Sequence, residues 1–250
     1  MVDSGGYQAL RGEYRGVRST FARQVEIASA APGSIICLLD APLPKGPLSA
    51  RERNARLERT IANAHAYDAL NRDYADRSER ELLAIIQGDD ITSIRFCAEE
   101  LARIGFDRYG IGSLVPLYNT RAIVKRVEAA MMVVGSNLHV FGIAGPKAMR
   151  ELMKLNVRSV DTARPMHGAI YNEVLYSDPF RRYGVSGSHY DPRRPKFQKS
   201  RELRTPLACD CPPCQTNPGG LLALNGQKGV HHRSLHNAYH LHHEITSLAS

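Results

Sequence analysis

No apolar run in the 250 residues approaches the roughly 20 needed to cross a bilayer. Met1-Val2-Asp3-Ser4-Gly5-Gly6 offers neither the basic stretch nor the apolar core of a secretion signal. Those absences predict a soluble, cytoplasmic chain with no membrane partner. There is no Gly-x-Gly-x-x-Gly or Walker-type loop, which removes the usual sequence warrant for an open nucleotide-binding sheet. No internal repeat is present beyond an alternation of strand and helix patterns. Cysteine is scarce: of five, three crowd into Cys209–Cys214. An odd, clustered set argues against a disulfide framework and suits a metal site in a reducing compartment. The 43% of hydrophobic residues is enough for a full core, which excludes a disordered chain. A formal charge of +8 favours a polyanionic partner such as nucleic acid.

Short apolar runs recur at Ser34–Asp40, Leu82–Gly88, Tyr109–Gly112, Leu138–Ala144 and Ser159–Asp161. Such runs suit strands buried on both faces of a parallel sheet. The stretches between them are helical in pattern. Among these are Ser49–Leu70, opening with Ser49 and Glu52 at capping-box spacing, Asp90–Ile104 and Pro146–Leu155. The alternation predicts an α/β fold. Asp40, Gln87, Gly112 and Asp161 stand at the C-terminal ends of successive strands. In a barrel those ends meet at one mouth, whereas an open sheet gathers only the ends near its switch point. The expectation is a (β/α)8 TIM-type barrel, with residues 1–165 carrying the catalytic site. Residues 166–250 would hold a basic linker, a small metal-binding subdomain and a His-rich C-terminal helix, because periodicity fades from about Met166 to Leu207.

Cys209, Cys211 and Cys214 supply three soft ligands, and thiolates with imidazole suit zinc. Four such ligands close a tetrahedral shell and leave no open position, so the expected Zn2+ is structural. The fourth ligand comes from the cluster His231, His232, His236, His240, His242 and His243. His236 is preferred, as the expected start of a helix after a glycine-containing loop. Cys37, in an apolar strand, and Cys97, in a helix, read as core residues.

Six motifs in order then carry a resemblance over nearly the whole chain. They are Asp3-Ser-Gly-Gly-Tyr-Gln8, Ile86-Gln-Gly88, Gly112-Ser-Leu-Val-Pro-Leu117, Phe141-Gly-Ile-Ala-Gly-Pro146, Val160-Asp161 and the Cys-x-Cys-x-x-Cys…His module. Together they resemble the tRNA-guanine transglycosylases. That family is a zinc-containing barrel that exchanges guanine in nucleic acid for a 7-deazaguanine base, and one branch, in phage and bacteria, acts on DNA. The resemblance selects His236 as the fourth metal ligand. It implies that Asp161 is the nucleophile at the sugar C1′ and Asp3 the general acid and base. It also implies a base pocket in which Asp40 accepts from the purine N1–H and amine, Gln87 and Gly112 read the other edge, and Ser4 helps place the base. Tyr7 and Phe141 would stack on the ring.

Three departures shape the expectation further. In the family the Asp-Ser-Gly-Gly aspartate follows two barrel strands and ends a third, but here it is residue 3. The expected barrel therefore lacks its first strands: the start lies upstream, the chain is a fragment, or a partner completes it. An incomplete or minimal form is favoured, with a homodimer or a partner subunit as the expected assembly. Where the queuine branch has a glutamate that pairs with an aminomethyl group, this chain has Tyr118 or its neighbours. Without a carboxylate there, a neutral substituent fits better, which favours 7-cyano-7-deazaguanine. Finally, Tyr176–Arg204 interleaves Arg181, Arg182, Arg193, Arg194, Lys196, Lys199, Arg201 and Arg204 with Tyr183, Tyr190 and Phe197, a pattern that can track phosphates and stack on bases. No RNA-binding appendage follows, which tilts the expected polymer from tRNA toward DNA. The rival expectation is a non-catalytic nucleic-acid-binding or partner subunit.

Overall fold

The computed structural model describes residues 1–4, 16–44, 46, 48–73, 80–114, 117, 119–185 and 201–246. The chain forms two compact units. One comprises Met1–Ile143 with Glu151–Asp161, the other Ala144–Arg150 with Thr162–Ser250.

The first unit is built on β1 (Ile35–Cys37), β2 (Glu81–Ile86), β3 (Arg108–Ile111), β4 (Leu138–Val140) and β5 (Ser159–Val160). All neighbouring pairs are parallel and the strand order is the chain order, so the sheet never reverses direction as a doubly wound sheet must. It is a curled half-barrel. Val2 adds a parallel bridge to Ile36 on the outer side of β1, donating to Ile35 O at 2.7 Å and accepting from Cys37 N at 3.0 Å.

Helices α1 (Val17–Ser29), α2 (Ala50–Asp73), α3 (Ile91–Ile104) and α4 (Thr120–Val134) alternate with these strands. In α3 the buried residues Ile94, Cys97, Ala98 and Leu101 follow helical spacing, so one stripe is apolar. The capping box at Ser49 and Glu52 forms as the sequence spacing predicts, and a second forms at Asp90 and Ser93. Ser49 N donates to Glu52 Oε2 at 3.1 Å while Glu52 N donates to Ser49 Oγ at 3.2 Å, and Ser93 N donates to Asp90 Oδ1 at 2.7 Å. Gly88 lets β2 run into α3, since a Cβ there would lie 2.6 Å from Ile94 N. Cys37 and Cys97 are buried, as expected of core residues.

The second unit holds α6 (Arg164–Ile170), a three-stranded sheet, α7 (Pro212–Thr216), α8 (Gly220–Ala223) and α9 (Gly226–Thr246). Helix α5 (Pro146–Lys154) contributes its first turns here and its last to the first unit. In the sheet, β6 (Glu173–Tyr176) and β7 (Arg181–Val185) are antiparallel, and β8 (Arg201–Leu203) runs parallel to β7. The sequence reads this region as an irregular linker, so the sheet is a correction. Its cause is composition: Arg181 and Arg182 keep the outer part of β7 in solvent and hide the strand pattern, while Val174, Tyr176, Val185 and Leu203 still reach the core with Cys211, Cys214 and Leu221. Among the described residues no helix is long and apolar enough to cross a membrane.

Candidate active site and metal centre

Strand register decides which side chains meet. Side chains alternate along a strand, and residues paired across a parallel sheet share a face. The pairs Cys37↔Leu83, Ile85↔Gly110, Gly110↔His139 and His139↔Ser159 therefore lie on one face. Two residues further on, the same alternation carries Gln87, Gly112, Phe141 and Asp161 to the C-terminal edge of that face. Val2 pairs with Ile36, so Asp3 follows at this edge too.

Three carboxylates act electrostatically on one thiol. Burial pushes Cys37 up to about 12, and Asp3, Asp40 and Asp161 each raise it further while the N-terminal ammonium opposes them. Their settings differ. Asp3 is exposed and the Asp161 side chain is 55% exposed, whereas Asp40 is 9% exposed. Burial raises Asp40 to about 6, against the backbone and Gln87 hydrogen bonds that lower it, with Asp3 adding a smaller upward push.

Gln87 is locked from both sides. Its Nε2 donates to Asp40 Oδ2 and its Oε1 accepts from Ser113 Oγ, which in turn accepts from Leu43 N at 3.0 Å. The amide orientation follows from that chain, because Leu43 N can only donate and a carboxylate only accept. A Cβ on Gly112 would lie 2.5 Å from Gln87 Nε2, so glycine is what lets the amide occupy this place. Likewise a Cβ on Gly110 would lie 2.5 Å from Phe141 Cε2, so the half-buried Phe141 ring crosses β3 and packs with Cys37, Leu83 and Ile85.

Asp161 is held by the turn that follows β4. Gly142, at φ 71°, donates its N–H to Asp161 Oδ1, and Ile143 N donates to Asp161 O at 3.1 Å. Left-handed backbone favours glycine at that position. Beside it lies a residue the sequence reading passed over. His139 is buried, its Nδ1 is 2.8 Å from Ser159 Oγ, and its Nε2 lies 3.8 Å from Asp161 Oδ1 with no hydrogen-bond partner. Desolvation lowers its pKa, opposed by Asp161. Its inward parity, shared with Phe141, was the available signal. Gln24 was also missed. Its Nε2 donates to Cys37 O at 2.7 Å and Val2 O at 3.2 Å, and its Oε1 accepts from Tyr67 Oη at 2.7 Å, which fastens the segment that presents Asp3. Ser4 is half-buried next to Asp3. Tyr7 lies outside the described residues, as do Tyr118, Arg193, Arg194, Lys196, Lys199, Tyr190 and Phe197.

In the second unit, Cys209, Cys211, His236 and His240 have ligand atoms within 4.8 Å of one another and could hold a metal ion. Cys214 adjoins them: its Sγ lies 3.4 Å from His236 Nδ1, against 3.3 Å for Cys211 and 3.7 Å for Cys209. Burial pushes the thiols up, Cys209 and Cys214 to about 11, and drives His236 down to about 3. Three clustered sulfurs facing one imidazole nitrogen are a donor set that suits zinc. His236 does not start its helix, as the sequence reading expected; it lies in the middle of α9, because Gly226 and Gly229 are inside the helix or at its first turn rather than in a loop. Asn237, buried beside it, accepts from Leu175 N at 2.8 Å and donates to Glu173 O at 2.9 Å and Pro165 O at 3.1 Å.

A family model described as queuine tRNA-ribosyltransferase matches residues 1–248. The chain is similar to the tRNA-guanine(15) transglycosylase of Methanocaldococcus jannaschii, with 27% identity over 257 residues, 99% of this chain and 36% of the relative. Its likeness to the tRNA-guanine(15) transglycosylase of Thermococcus kodakarensis is 25% over 252 residues, 98% of this chain and 38% of the relative. A queuine tRNA-ribosyltransferase of Methylacidiphilum infernorum is 31% identical over 121 residues, 45% of this chain and 32% of the relative. The chain thus spans about a third of the length of these relatives.

Proposed function

We propose, from the premise that the chain belongs to the queuine tRNA-ribosyltransferase family, that it exchanges guanine in nucleic acid for a 7-deazaguanine base. The observation that carries the reading is the placement of Asp3 and Asp161 at the C-terminal edge of one parallel sheet, with the buried Asp40 hydrogen-bonded to Gln87 at that edge.

The exposed Asp161 carboxylate attacks the sugar C1′ as the C1′–N9 bond breaks, and an aspartyl-sugar ester forms. Asp3 gives its proton to the departing guanine and takes one from N9–H of the incoming base, whose nitrogen then displaces Asp161. Gly142 N–H holds Asp161 in place, and the buried His139 stands behind it. Asp40 accepts from the purine N1–H and exocyclic amine. Adenine presents no such donor pair, so the buried carboxylate would be left unpaired. Gln87 and the Gly112 backbone face the other edge of the base, Phe141 supplies a stacking surface, and Ser4 helps place the base. Zn2+ held by Cys209, Cys211, Cys214 and His236 would cross-link the second unit as a structural ion with no open position.

The likeness to tRNA-guanine(15) transglycosylases favours tRNA as the polymer, with DNA the competing substrate. The incoming base is proposed to be 7-cyano-7-deazaguanine, since Gly112–Leu117 offers no carboxylate to an ammonium group. The test is release of labelled guanine from tRNA and from DNA in the presence of that base. Asp161→Asn should abolish release; continued exchange by this variant rejects the assigned nucleophile. Tight tRNA binding with no release by the wild type, alone or with added partner chains, would replace the enzyme reading with the non-catalytic subunit.

A further inference from the structure

Five side chains crowd the metal centre where a tetrahedral ion needs four: Cys209, Cys211, Cys214, His236 and His240. Hydrogen bonds on the far side of each imidazole decide which histidine is the surplus one. His236 Nε2 lies 2.8 Å from Leu175 O. A carbonyl only accepts, so the proton sits on Nε2 and the Nδ1 lone pair faces the three sulfurs. His240 is arranged the opposite way. Its Nδ1 accepts from Ser177 N at 3.1 Å, with Ser177 Oγ at 2.9 Å. A backbone N–H only donates, so Nδ1 carries no proton and the neutral ring holds its proton on Nε2. That nitrogen is 3.1 Å from Cys209 Sγ. Ligation through Nε2 would require the proton to move to Nδ1, head to head with the Ser177 N–H.

We propose that His240 is not a metal ligand but donates its Nε2–H to the Cys209 thiolate, with the ring orientation set by Ser177. Cys209 then accepts two hydrogen bonds, the second from Cys211 N at 3.3 Å. Of the three cysteines it is the only one that is not fully buried. N–H donors to a metal-bound thiolate draw off electron density and hold the sulfur in position. His240 is itself fixed by packing, with Tyr176 at 5.0 Å and His236 at 4.5 Å between ring centroids. The inference is independent of the proposed reaction.

The test uses the full chain loaded with one equivalent of Zn2+. X-ray absorption at the zinc edge of the wild type should give three sulfurs and one nitrogen; two sulfurs and two nitrogens would make His240 a ligand and overturn the proposal. His240→Phe should keep the sulfur count at three yet bind Zn2+ about 10–100-fold more weakly in chelator competition. In the Co2+ form its thiolate-to-metal charge-transfer band should move to longer wavelength. His240→Gln, which carries an acceptor and a donor at a comparable spacing, should restore much of both. An unchanged affinity and band in His240→Phe would reject the hydrogen bond.

Discussion

Asp40 offers the sharpest test, because its burial and its pKa tie stability to base recognition. Folding carries this carboxyl from its ordinary 3.8 to about 6, chiefly through desolvation. Its folded-state pKa lies above the unfolded value, so the protonated form belongs to the folded protein. Nothing is lost below pH 3.8, and stability falls as pH rises through 6. At 1.36 kcal/mol for each tenfold change, the gap amounts to about 3 kcal/mol at neutral pH. Asp40→Asn removes that cost and keeps an oxygen able to accept from Gln87 Nε2. The variant should therefore melt about 6–12 °C above wild type at pH 7.5, and the difference should close as pH falls toward 4. The same substitution puts an amide donor against the purine donors, so guanine exchange should drop at least a hundredfold. In the wild type, the ionised carboxylate is the form that accepts from guanine, so kcat/KM should fall about tenfold per pH unit below pH 6. Melting curves from pH 4 to 8 with base-exchange rates over the same range measure both. An Asn variant no more stable than wild type at pH 7.5, or a gap constant with pH, would refute the account of Asp40 as a buried acid awaiting its base.

Other expectations follow from single contacts. Gly112→Ala should push Gln87 from its place and raise the KM for the base by an order of magnitude, because the added Cβ meets Nε2 at 2.5 Å; steady-state kinetics will show whether kcat is spared. Tyr67→Phe strands the buried Gln24 Oε1 and should cost about 1–3 kcal/mol in urea unfolding. The same change should slow exchange by loosening the segment that presents Asp3. His139→Phe removes the ring behind Asp161 and should lower kcat with little effect on base affinity; a pure KM effect would contradict that placement. Cys211→Ser should lose the metal equivalent found in wild type by elemental analysis, with loss of helical signal from the second unit.

Much of the fold was readable without coordinates, since it rests on local physics. Apolar runs such as Leu82–Ile86, closed by Gly88, suit strands buried on both faces, and Ser49/Glu52 marks a helix start through hydrogen bonds made within a few residues. The strand-end positions of Asp40, Gln87, Gly112 and Asp161 were visible for the same reason, and so was the cysteine cluster. Sequence order could not say that Asp40 is buried while Asp161 faces solvent, that Ser113 orients Gln87, or that His139 lies behind Asp161. Those facts depend on register between strands far apart in the chain, where a shift of one residue would turn each side chain to the opposite face. The sequence favoured His236 but supplied no contact that sets it apart from His240, one helical turn away on α9. The choice between them rests on a carbonyl at Leu175 and an N–H at Ser177, backbone groups that only the packing of β6 and the turn after it against that helix brings into reach.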